Sequence, residues 1–288
     1  MRGCGLSARL SAWTAAGLCA LASSVAAAPP GSKHVQPELV ADVESIAAGR
    51  PFQAGLRLRM DPEWHTYWKN PGDSGLATRL TWKLPDGFQA GPIEWPYPVV
   101  FKQGPVTSYG YKDEVLLPVT ITPPATLAAG TSVTLAARAD WLECREACLP
   151  GRRELSLVLP VRGEAPRASA QAAAFTAARA RLPQAGAGWA FEARETPDRV
   201  VLVVRPPRGQ AAIQKATFFP DRGQLIDHAA AQAWTRAAGA TAGYRLEMTP
   251  APNAARPLGA LEGVLVTEGS SGATVAVRVQ ANSAKEKP

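Results

Sequence analysis

From about Val35 to Val161 the chain alternates apolar and polar residues over short stretches. "FQAGLRLRM" sets Leu56, Leu58 and Met60 on one face, and "RLTWKL" does the same with Leu80, Trp82 and Leu84. A period of two marks a strand with one buried side. "NPGDSG" (Asn70 to Gly75) and "LPDGF" (Leu84 to Phe88) interrupt the alternation. Their prolines fix φ and their glycines accept positive φ, so both predict turns. "VLLPVTIT", "SVTLAARADW" and "ELSLVLPV" resume the strand pattern. Many short strands broken by Pro and Gly predict an antiparallel β-sandwich.

Residues 162–188 depart from this pattern. They begin with Pro and charge and become Ala-rich, which predicts one helix from Ser169 to Leu182, stopped near Pro183. Strand signals return in "WAFEARE", "RVVLVVRPP", "KATFFPDRGQLIDHA" and "GYRLEMTP". "LEGVLVTEG" and "ATVAVRVQA" flank "SSG" as a predicted hairpin. The expected organisation is all-β: a sandwich at 34–163, a connector at 164–188, a second, smaller β domain at 189–281, and a disordered tail at 282–288.

The first 27 residues carry Arg2 and Arg9, then an apolar stretch from about Leu10 to Val25, then small residues. That layout predicts a secretory signal peptide cut after Ala27. No later segment approaches the 18 apolar residues of a membrane span, so the expectation is a protein exported to the periplasm and soluble after cleavage. The net charge of +7 is scattered as single Lys and Arg residues among acids and says little about partners, while export argues against nucleic acid as one.

Removal of the leader takes Cys4 and Cys19 with it and leaves Cys144 and Cys148, in "ADWLECREACLP". Export places them where disulfides form and persist. Their spacing brings the sulfurs to one face of a helix or across a hairpin tip. The alternation on both sides favours the hairpin. Three uses are open. A staple closing so small a loop removes little entropy from the unfolded chain. A Cu(I) or Zn clip needs further ligands, and His34, His65, His228, Met60 and Met248 all lie far away in sequence. Thiol–disulfide exchange needs only the two thiols. Arg145 favours a thiolate there while Glu143 and Glu146 oppose it.

"WHTYWKNPGDSGLATRLTWKLPDGF", "GPIEWPYP", "YGYKDEVLLPVTI" and "WLECREACLP", in this order, resemble the amino-terminal periplasmic region of the DsbD and ScsB type of thiol–disulfide interchange proteins. The likeness is strong over residues 37–161. "ATFFPDRGQLIDHAAAQ" through "LEGVLV" looks like the second soluble domain of the ScsB-like branch. The resemblance implies an immunoglobulin-like first domain whose Cys144 and Cys148 cycle between dithiol and disulfide without a bound cofactor or metal. It implies that Cys148 forms the mixed disulfide with partners and that Cys144 resolves it. It also implies a cap loop, matching Gly104 to Lys112, in which Tyr109 or Tyr111 covers the sulfurs.

Electrons in that family come from a thioredoxin-like domain fed by a membrane relay. This chain carries neither after the second β domain, so the expected donor is a thioredoxin-like protein or domain served by a separate membrane relay. The expected acceptors are periplasmic proteins bearing disulfides, and the setting is disulfide reduction, cytochrome c maturation or copper-stress defence. The chain is then a component of a protein-disulfide reductase system. The alternative is a non-enzymatic copper-binding or partner-docking module with a structural cysteine pair. His65 is expected as a packed turn residue, and Trp64, Trp68, Trp82 and Trp95 as sandwich core.

Overall fold

The computed structural model describes Met1, residues 33–237 and residues 243–285, with side chains described as far as 282 at the carboxy-terminal end. All but the first residue of the expected leader lie outside the described residues.

Ten strands come first: β1 (Val35–Ala41), β2 (Phe52–Met60), β3 (His65–Gly72), β4 (Arg79–Lys83), β5 (Gln89–Ile93), β6 (Val99–Gln103), β7 (Val106–Lys112), β8 (Glu114–Thr122), β9 (Ser132–Cys144) and β10 (Cys148–Pro160). Helix α1 (Ala172–Ala180) follows. Then come β11 (Ala190–Glu195), β12 (Val200–Arg205), β13 (Ile213–Pro220), β14 (Ala233–Arg236), β15 (Tyr244–Met248), β16 (Ala260–Gly269) and β17 (Thr274–Lys285).

The first ten strands form two sheets, one in the order β1-β2-β8-β5 and the other in the order β10-β9-β3-β7-β6, with β4 also pairing β9. Leu56, Leu58 and Met60 point inward from the first sheet, as their alternation predicts, and meet Tyr109, Tyr111 and Trp141 of the second. This is an immunoglobulin-like sandwich, and its core lies between the two sheets. Of the four tryptophans expected in the sandwich core, Trp68 is fully buried, while Trp64, Trp82 and Trp95 pack against the core at half burial.

Helix α1 does more than connect. Phe175 and Ala178 bury against Val40 and Leu116 on the outer face of the first sheet. That cover explains why Arg57, which strict alternation would expose, is buried. Its guanidinium donates to Glu38 at 2.6 Å and to Gln171 at 2.7 Å, which satisfies the charge under the helix. The helix is shorter than the Ala-rich stretch because the Ser169 hydroxyl donates to the carbonyl of Ala41 and accepts from the Gln171 amide, holding that end as a turn.

The remaining strands form a third sheet, in the order β13-β16-β17-β11-β12-β15-β14, around a core of its own. Strand β17 runs to Lys285, into the region where composition predicted a disordered tail, because its end pairs in parallel with β11. The third sheet also docks on the sandwich. Phe219, Val264, Val266 and Ala276 join the core cluster that holds Trp68 and Tyr109. The Asn70 amide donates to the carbonyl of Pro220 at 2.8 Å, and Lys69 pairs with Asp221 at 2.6 Å. The back of β3 is thus packed by the third sheet. Its front carries the residues considered next. No helix among the described residues is long and apolar enough to cross a membrane.

Candidate functional site

Strands β9 and β10 form a hairpin, as the alternation around the cysteines favoured. Cys144 and Cys148 are register partners at its tip and are joined by a disulfide, with Cα atoms 4.2 Å apart. Between them Arg145, Glu146 and Ala147 form the exposed turn. The two sulfurs are not equivalent, since Cys144 is 2 % exposed whereas Cys148 lies on the exposed side of the tip.

Strand β3 supplies the surroundings. His65 is the cross-strand partner of Cys144, and two residues further on the Tyr67 side chain emerges on the same face. The Tyr67 hydroxyl donates to the Cys144 sulfur at 2.8 Å and lies 3.4 Å from that of Cys148. Burial raises the Tyr67 pKa above its ordinary value, so the phenol keeps its proton and remains a donor.

Gly75, in the predicted turn, makes that placement possible. Its φ is +112°, and a Cβ there would sit inside the Tyr67 ring.

His65 stacks on Phe101 with ring centroids 4.3 Å apart and meets Tyr67 edge-on. Burial lowers its pKa, which keeps the imidazole neutral around pH 7. These rings, with Glu63, Ser74, Lys102, Gln103, Val106, Ser108 and Arg145, line a cavity of about 240 Å³ that reaches Cys148. The hairpin of β6 and β7 forms one wall.

Tyr109 and Tyr111, the aromatics expected over the sulfurs, lie elsewhere. Val106 and Ser108 of β7 face the cavity, so the pleat turns Tyr109 and Tyr111 to the opposite face. Tyr109 reaches His228, in the connection between β13 and β14, at 3.0 Å, and the Tyr111 hydroxyl donates to the carbonyl of Pro96 at 2.7 Å. The aromatic hydroxyl at the pair is that of Tyr67, 77 residues before Cys144. The hairpin's aromatic contribution to the cavity is Phe101.

Arg145, expected to favour a thiolate, shares its charge with Glu63 at 3.5 Å and Glu146 at 3.7 Å. Glu143 is buried beside Cys144 and accepts from the Trp141 indole at 3.2 Å. Of the further ligands a metal clip would need, only His65 lies beside the pair. His34 stacks on Trp64, Met60 lies by Thr66, and Met248 sits in the third-sheet core. Among the described residues no group of three or more His, Cys, Asp or Glu is placed to hold a metal ion.

Residues 32–160 match the family model described as the amino-terminal region of the thiol:disulfide interchange protein DsbD. The sandwich is a DsbD-type amino-terminal domain. The match ends at the last residue of β10 and contains both cysteines, Tyr67 and the β6–β7 hairpin.

The DsbD-type assignment agrees with the fold. The crystal structure of the N-terminal periplasmic domain of ScsB from Proteus mirabilis superposes with a TM-score of 0.61 at 20% identity. It covers 87% of this chain and 94% of that one, so the shared fold extends beyond the sandwich. The major pilin subunit BcpA of Bacillus cereus (8% identity, 88% of this chain and 70% of that one) and the YadV chaperone (10%, 84% and 99%) give TM-scores of only 0.26 and 0.21. No curated protein matches. In chemical terms the chain contains a thiol–disulfide interchange type of domain with its cysteine pair oxidised.

Proposed function

We propose that Cys144 and Cys148 pass reducing equivalents between protein partners in the periplasm. The observation that carries this reading is the asymmetry of the pair: an exposed Cys148, a buried Cys144, and the Tyr67 hydroxyl 2.8 Å from the buried sulfur. From the disulfide, a thiolate of a thioredoxin-like donor attacks the Cys148 sulfur. The Cys144 thiolate leaves, accepting a hydrogen bond from Tyr67. The donor's second thiolate then attacks the mixed disulfide, freeing Cys148 and closing the donor's own disulfide. Two electrons move, and the two thiolates of the pair take up protons from water.

Delivery runs in the opposite direction. The Cys148 thiolate attacks an acceptor disulfide, and Cys144 resolves the mixed disulfide, which leaves the acceptor as a dithiol and the pair oxidised. The β6–β7 hairpin, with Phe101 stacked on His65, shields the sulfurs between encounters.

In this reading the exported chain begins after residue 27. The sandwich, the helical connector and the second β domain act together, the last holding β3 from behind. Exchange is favoured over a copper-ligating role because His65 alone of the candidate His and Met ligands lies beside the sulfurs, while His34, His228, Met60 and Met248 are held elsewhere.

The test is trapping. Cys144→Ser should accumulate mixed disulfides with periplasmic proteins through Cys148, and Cys148→Ser should not. If both variants trap partners equally, the assignment of roles is overturned. If neither traps any, the pair is a static bridge.

A further inference from the structure

The Asn70 to Gly75 turn separates the cavity at Cys148 from a second groove. Ser74 lines the first, and Leu76 and Ala77 line the second. The second groove has a volume of about 410 Å³, and its floor is the outer face of β4, β9 and β10. The ladder register orders that face outward from the disulfide. Next to the Cys144–Cys148 pair comes Leu142 with Pro150, then Asp140 with Arg152 on one side and Arg79 on the other, with Arg138 one step beyond. Each step of two residues advances about 7 Å. The first step is apolar and is flanked by Leu76, which is 64% exposed. The second is cationic.

The charge there is in excess. Burial opposes ionisation of Asp140, but hydrogen bonds from Arg152 at 2.6 Å and Arg138 at 2.9 Å outweigh it and hold its pKa below the ordinary value. One carboxylate therefore answers two guanidinium groups. Arg79 makes no ion pair among the described residues. A solvated face needs neither an exposed leucine nor a third arginine beside a carboxylate that is already paired.

We propose that this groove docks an extended, acidic segment of a redox partner, with an apolar side chain against Leu76, Leu142 and Pro150 and a carboxylate about four residues from the partner sulfur at Arg79. The proposal rests on the exchange reading above and adds the chemistry of the partner to it.

The experiment uses two labelled peptides with serine in place of the partner cysteine, one bearing Asp and Glu four positions to either side and the other bearing Lys at those positions. Binding is read by fluorescence anisotropy. The wild-type chain should prefer the acidic peptide. Arg79→Glu should weaken that binding roughly fivefold, the scale of a few near-surface charge contacts, with Arg79→Gln intermediate. Roughly 0.5 M salt, where screening acts over about 4 Å, should abolish the preference. Equal binding of the two peptides, or binding of the acidic one unchanged in Arg79→Glu, overturns the groove.

A parallel measurement separates the two readings: the pair is first reduced with dithiothreitol, the excess reductant is removed, and the dithiol is offered hydroxyethyl disulfide, which is neutral and small and would be cleaved to two molecules of mercaptoethanol as the pair closes. Exchange with it but no charge preference overturns the groove alone. Peptide preference without any exchange overturns the redox reading and leaves the groove as a binding site.

Discussion

The Tyr67 hydroxyl and the Cys144 sulfur, 2.8 Å apart, join the middle strand of a sheet to the buried half of a disulfide. A protonated phenol at that distance stabilises negative charge on sulfur whenever the bond opens. A hydrogen bond to a charged group contributes about 1.5–3 kcal/mol.

Tyr67→Phe keeps the ring and removes the donor. Reduction of the disulfide by dithiothreitol should slow by about tenfold, the lower end of that range at 1.4 kcal/mol per decade. Stopped-flow measurement on wild type and variant checks this, and equal rates would show that the hydroxyl serves packing alone.

Gly75→Ala tests how the turn serves the site. Positive φ disfavours any side chain, and the new methyl group collides with the Tyr67 ring, so the ring or the turn must move. The expected loss of stability is about 2 kcal/mol by urea unfolding. The rate with dithiothreitol should fall as in Tyr67→Phe. A loss of stability with an unchanged rate would mean that the turn yields and the ring stays.

Stability should also fall with acid. His65 and His228 both have pKa values lowered from 6.5, first by burial; for His228, Asp73 and Asp227 pull the other way without prevailing. A folded-state pKa below the unfolded one means that the unfolded chain binds more protons as the pH falls below about 6.5. The stability from the neutral rings is therefore full above pH 6.5 and is lost as the pH drops through the folded values. Urea midpoints at pH 7.5 and 5.5 should differ, and His228→Gln should narrow the gap. An identical gap in the variant would exclude His228 as a contributor.

The sandwich was legible because its strands carry plain alternation. The hairpin at the cysteines was legible because the alternation runs up to Cys144 and resumes after Cys148. Tyr67 was not, since its place beside sulfur depends on β3 pairing with β9, a register set by tertiary packing that no local pattern encodes. The same gap explains Tyr109 and Tyr111. The family resemblance suggested them as a cap, but which face of β7 they occupy is decided only once Val106 and Ser108 are seen against Cys148. The helix was read from its alanines, while its docking depends on Phe175, under which Gly55 leaves room, together with Ala178. The third sheet was read from strand patterns, but nothing in them said that Phe219 would enter the core behind β3.

The cysteines close a hairpin whose two arms are each thirteen residues long and paired throughout. Cutting the S–S bond therefore frees no length of chain, because the backbone ladder still holds the sulfurs side by side. A resolving thiol kept so near its target acts at a very high effective molarity. Any covalent complex formed at Cys148 is then brief by construction, and partners of the intact protein should be met as fleeting adducts rather than as stable companions.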